Sequence, residues 1–225
     1  MSHHPHDIFE SRKQFQLERM ILFSDAVFAI AITLLIIEIK IPHFDDAITQ
    51  QQLANALLKK LPEFLGFILS FVVIGQFWIS HHRLFGYIMD YTPKLLWLNL
   101  LMLLWIVLMP FSTFLNMQFG NQDIVWFWYS MNLALIELSL YFLWRYIGKH
   151  PHLCYMAGDK RFMRHAYVRC IIVLLIFVAG GLCTFLPVDW VKTTSRFIFF
   201  LIFPVLSLVG RRYKKKTGTR AGNML

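Results

Sequence analysis

Asp25 stands inside a run, from Arg19 to Lys40, whose other members are almost all aliphatic or aromatic, and Ser24 stands directly before it. A carboxylate surrounded by hydrocarbon is costly unless it is paired, so this acid either has a dedicated partner or is itself a working ionisable site. Arg19 cannot be that partner within one helix. Six residues separate it from Asp25, which is about 240° around a helix. The segment Trp78-Ile-Ser-His81-His82-Arg83 offers better candidates: an indole N–H, two imidazoles and a guanidinium at the end of another apolar run. Arg19, Ser24 and Asp25 are therefore expected to bond with Trp78, His81 or His82 and lock the two runs together. Adjacent histidines also suggest zinc, but neighbours on a helix point about 100° apart. No cysteine or carboxylate stands beside them at ligand spacing, so no metal site is expected. Glu137, near Asn132 and Ser139 in a further apolar run, could carry a proton or an ion. A hydrogen-bonded structural acid is the more ordinary reading.

The elements that hold these groups follow from composition. Hydrophobic residues make up 57% of the 225-residue chain and charged residues 16%, against roughly half and a quarter in a soluble domain. That excess excludes an ordinary soluble fold. Apolar segments lie near Arg19–Ile41, Leu61–Ser80, Pro93–Leu115, Ile124–Ile147, Ala166–Leu186 and Thr194–Gly210. Each is close to the roughly 20 residues a helix needs to cross a bilayer. None alternates with the period of a membrane β-barrel. The expected fold is an all-α membrane protein with six transmembrane helices. Residues 1–18 form an N-terminal segment, 19–210 the membrane domain and 211–225 a basic tail.

Charge distribution sets the orientation. With six crossings, both termini and the loops after the second and fourth spans share one side. That side holds Arg12, Lys13, Arg19, Arg83, Lys94, the six basic residues from Arg145 to Arg169 and the six from Arg211 to Arg220, which is 17 of the 22 Lys and Arg. The other 5 are Lys40, Lys59, Lys60, Lys192 and Arg196. By the positive-inside rule both termini are expected in the cytoplasm. The net charge of +9 is then accounted for by topology, and no nucleic-acid partner is needed. Cys154, Cys170 and Cys183 are too few and too apolar in context for a disulfide framework.

The first run also has a continuous stripe. Steps of four and three from Arg19 give Phe23, Ala26, Ile30, Thr33 with Leu34 beside it, and Ile37. Asp25 lies about 140° from Ile30 around the axis, off that stripe. One face can thus line something while another presents Ser24 and Asp25 to neighbouring helices. Read from the residues alone, Ile30, Leu34 and Ile37 are as well explained by lipid or core packing.

Arg19-x-x-x-Phe23-Ser24-Asp25, followed by Ala31-Ile32-Thr33, resembles the first-helix signature of the transmembrane protein 175 family, the endosomal and lysosomal potassium channels and their bacterial relatives. Trp78-x-x-His81-His82 resembles the second helix of that family. Vertebrate members carry two six-span repeats, whereas Phe-Ser-Asp occurs here once, so the resemblance is to the single-repeat bacterial form. It implies a potassium-permeable cation channel in a bacterial inner membrane. A homotetramer would bring four first helices around the ion path. It also implies a constriction at Ile30, Leu34 and Ile37, and a role for Thr33 in preference for potassium. No cofactor is implied, the transported ion being K+, and the partners are the bilayer, monovalent cations and further copies of the chain. A Thr-Val-Gly-Tyr-Gly filter is absent from the sequence, so selectivity would come from a side-chain throat that gates by excluding water. The alternative is a proton-coupled secondary transporter using Asp25 or Glu137, although the paired broken helices of such carriers are not evident. No nucleophile–base set or phosphate-binding loop points to an enzyme.

Overall fold

The computed structural model describes residues 5–40 and 48–188, with 190, 191 and 194. The described chain is all helical apart from turns: α1 (Pro5–Ile37), α2 (Gln50–Lys59), α3 (Leu61–Phe85), α4 (Pro93–Val107), α5 (Met109–Phe119), α6 (Asp123–Lys149) and α7 (Lys160–Leu182). Five stretches are long and apolar enough to span a bilayer: Arg12–Ile37, Leu61–Phe85, Pro93–Phe119, Asp123–Lys149 and Lys160–Phe185. The sixth expected span, Thr194–Gly210, and the basic tail lie outside the described residues.

Local chemistry sets the helix boundaries. Thr49 caps α2 reciprocally with Gln52, and Thr92 caps α4 through the Leu95 N–H, with Pro93 opening that helix. Asp159 caps α7 by accepting from the N–H groups of Arg161 and Phe162. Pro110 has no N–H to donate to the preceding turn, and the third span breaks at Leu108 into α4 and α5. Past the break the Leu108 carbonyl accepts from both the Ser112 N–H and the Ser112 Oγ, each at 3.0 Å.

Several elements run past their expected ends. α1 begins at Pro5 and carries the polar residues before Arg19, so the expected boundary after residue 18 does not interrupt the helix. α3 continues to Phe85 and keeps Trp78 to Arg83 helical, and α7 starts at Lys160, six residues before the apolar run at Ala166. In each case polar or basic helix formers extend the helix beyond its apolar stretch. The short amphipathic α2 was not anticipated; its cap lies in a polar linker without a spanning signal.

The core lies among α3, α4, α6 and α7, with the first and second spans the least enclosed and the fourth the most. α7 packs closely on α6, and α1 rests against α3 and α4. Gly148 and Gly181 permit the α6–α7 approach. A Cβ at Gly148 would collide with the Tyr167 hydroxyl and come to 2.6 Å from Met163 Cε. Gly148→Ala is expected to destabilise the fold by about 1–3 kcal/mol, read as a lower thermal unfolding midpoint in detergent.

Three segments meet at one end of the bundle. Lys13 Nζ pairs with Asp90 Oδ2 at 2.9 Å. The Met89 N–H donates to the Leu153 carbonyl at 2.9 Å, beside a bridge between Ile88 and Cys154. The start of α1, the α3–α4 loop and the α6–α7 loop therefore share a side, as the charge distribution requires. Partial burial works to raise the Asp90 pKa, but the hydrogen bonds from Lys13 and the Tyr91 N–H and the charges of Lys13 and His152 outweigh it and hold this carboxyl below its ordinary value. A depressed acid contributes stability above its unfolded pKa and loses it as pH falls through the folded one. Lys13→Met should thus cost at most about 1 kcal/mol at neutral pH, and the difference from the unsubstituted chain should fade below about pH 4.

Candidate functional site

α1 has two distinct faces. Leu17, Met20, Ser24, Phe28, Ala31 and Leu35 are buried against α3 and α4. On the other side Phe23, Ile30 (58% exposed), Leu34 (39%) and Ile37 (66%) stand open, and Thr33 is exposed among them. The expected stripe is thus the face that one chain leaves uncovered. The Thr33 hydroxyl donates back to the Ile30 carbonyl at 2.9 Å. That bond uses its proton and leaves the oxygen lone pairs on the exposed face, where a cation could use them.

The opposite face carries a polar relay through three helices. Trp78 Nε1 on α3 donates to Asp25 Oδ1 at 2.9 Å. Ser24 Oγ donates to the Met20 carbonyl at 2.9 Å and accepts from Asn99 Nδ2 on α4 at 2.8 Å. Asn99 Oδ1 lies 2.8 Å from His81 Nε2. Because the Asn99 amide nitrogen is committed to Ser24, its oxygen accepts, and the His81 tautomer that fits carries its proton on Nε2. The rings of Phe28 and Phe85 flank that imidazole at 5.4 and 4.2 Å.

The structure brings some of the expected residues together and leaves others apart. Asp25 meets Trp78, but Ser24 reaches His81 only through Asn99, a residue that sequence reasoning missed. Asn99 lies inside an apolar run with no motif beside it, and only its depth on α4 marks it. Arg19 does not join: it is exposed, with its guanidinium 5.8 Å from the Phe15 ring centroid. His82 also points outward and lies with its ring 5.5 Å from that of Trp78. The two histidines point about 100° apart around the helix, His81 inward and His82 outward, so they do not share a centre. Glu137 is buried between α6 and α7, beside Cys170 and Arg169. Cys154, Cys170 and Cys183 are all free thiols.

This geometry can be set beside known proteins. Residues 19–110 match the family model described as endosomal/lysosomal potassium channel TMEM175. A Streptomyces collinus protein described as a potassium channel is 34% identical over 139 residues, covering 60% of this chain and 66% of that protein. The chain belongs to the TMEM175 family. The chicken endosomal/lysosomal proton channel TMEM175 is 36% identical over 113 residues, which cover 47% of this chain but 22% of that protein. The chain spans from about half to just under two thirds of the length of the bacterial relatives it matches. In three dimensions it resembles the crystal structure of a lysosomal potassium-selective channel TMEM175 homolog from Chamaesiphon minutus. The TM-score is 0.68 at 22% identity, over 88% of this chain and 98% of that one. The likeness establishes the TMEM175 fold, an all-helical membrane architecture. The matched segment holds both faces of α1, together with Trp78, His81 and Asn99. The TMEM175 relatives and structural neighbours are ion channels, not enzymes.

Proposed function

We propose that the chain is a subunit of a potassium-permeable cation channel in which several copies, four by analogy with its family, turn the exposed face of α1 toward a common axis. The observation that carries this reading is the division of α1 into a buried face locked by Ser24, Asp25 and Phe28 and an open face bearing Ile30, Thr33, Leu34 and Ile37. A rigidly anchored helix presents its aliphatic side chains at fixed heights, which is what a ring that excludes water requires. Ile30, Leu34 and Ile37 form the constriction, and the Thr33 oxygen is the one hydroxyl positioned to replace a water of the ion. No Thr-Val-Gly-Tyr-Gly filter is available in the sequence, so a side-chain throat is the only selectivity device left. The chain works in a bacterial inner membrane with both termini in the cytoplasm, the side favoured by 17 of its 22 Lys and Arg.

Relatives are described as potassium channels in bacteria and proton channels in animals, so both ions belong in the test. Purified protein in planar bilayers should show unitary currents whose reversal potential follows a potassium gradient rather than a pH gradient. Slow saturable flux coupled to a pH gradient would instead favour the carrier reading with Asp25 or Glu137. Two observations speak against that reading: Asp25 is engaged by Trp78, and Glu137 is enclosed by α7.

A further inference from the structure

Away from α1, a cleft of about 170 Å³ opens between α3, α6 and α7. Three nitrogenous side chains line it: Arg83 from the last turn of α3, and His165 and Arg169 from α7. Among the described residues no carboxylate lines it; Glu137, whose charge acts on Arg169, is not part of the lining. Arg169 is not loosely placed. Its Nη2 donates to Ser80 Oγ at 2.7 Å, which fixes the guanidinium across the α3–α7 seam. One bond to a neutral hydroxyl leaves most of its five N–H donors for another acceptor, although the buried Glu137 nearby shares its field. Three aromatic rings complete the lining: Tyr87, just past α3, packs on Phe162 of α7 at 5.0 Å, and Phe162 on Trp144 of α6 at 5.8 Å.

Two guanidinium groups and an imidazole without a lining acid make a site for an anion, and the forked donors of arginine suit phosphate oxygens. The position fits as well. The cleft lies at the end of α7 that also carries Lys160, Arg161 and Arg164, and aromatic rings are favoured where lipid headgroups meet water. We propose that this cleft binds the phosphate of an anionic ligand, with Arg83 and Arg169 donating to its oxygens. The phosphate comes from a phospholipid headgroup at the membrane surface or from free phosphate in the adjoining water. This inference does not rest on the channel reading; it requires only that the chain lies in a membrane.

The test uses the full chain purified in detergent. Native mass spectrometry with added phosphatidylglycerol should show retained adducts that phosphatidylcholine does not give. In Arg83→Gln/Arg169→Gln those adducts should weaken at least about tenfold, the loss of two charge-assisted contacts. If inorganic phosphate raises the unfolding midpoint over chloride at equal ionic strength, and the variant loses that shift, the site stands with free phosphate as its ligand. Arg169 also holds Ser80, so the exposed Arg83→Gln alone carries the test if the double variant does not fold. Adducts that persist undiminished in the variants would overturn the proposal. So would a wild-type chain that prefers neither phosphatidylglycerol over phosphatidylcholine nor phosphate over chloride.

Discussion

Ile37→Asn and Ile30→Asn are each expected to pass more current at rest than the unsubstituted chain. Both side chains stand on the open face of α1, two turns apart, and neither contributes to the buried face that anchors the helix. Exchanging an aliphatic side chain for an amide in a narrow throat removes part of the cost of wetting it. Removing only about 1.4 kcal/mol of barrier raises flux about tenfold, so the change is expected to be at least that large in liposome flux. Stability should move little, since the substituted positions are not packed within the chain. Wild-type flux in both variants would show that neither residue lines a constriction. A tenfold rise in the open state alone would place the barrier elsewhere.

Asn99→Ala is expected to produce a large loss of stability. The amide closes the relay from Ser24 to His81, and all three residues are buried. Truncation strands the His81 Nε2 donor in the core and deprives the Ser24 oxygen of its donor. Leaving such groups unsatisfied costs about 1–3 kcal/mol each. If Asn99→Ala folds as stably as the parent, the relay does not hold α1 in place, and the fixed height of its open face loses its explanation.

Much of this was legible in the residues. Continuous apolar runs of spanning length can be little else than helices in lipid, and five of the six expected spans fall within the described residues and stand where they were expected. Periodicity separated the Ile30, Leu34 and Ile37 stripe from Asp25 correctly, because it depends only on 100° per residue. The helix ends were less legible, since polar helix formers such as those before Arg19 and at Lys160 extend a helix past its apolar stretch without a compositional signal. The wiring of the relay was hidden for a different reason. Ser24, His81 and Asn99 lie on three helices, and which of them touch depends on how α4 packs against α1 and α3. The basic cleft was equally invisible, because Arg83 and Arg169 counted in sequence as topology charges and His165 stands in no motif.

Cysteine accessibility in the assembled protein tests the central idea most directly. Ile30→Cys, Leu34→Cys and Ile37→Cys, each reconstituted and recorded under a charged methanethiosulfonate reagent, should lose current irreversibly as the thiol is modified, while the parent chain with its buried or half-buried native thiols should not. Current that is unaffected at all three positions would mean that the open face of α1 meets lipid rather than ions, and the account of this chain as a pore-lining subunit would be wrong.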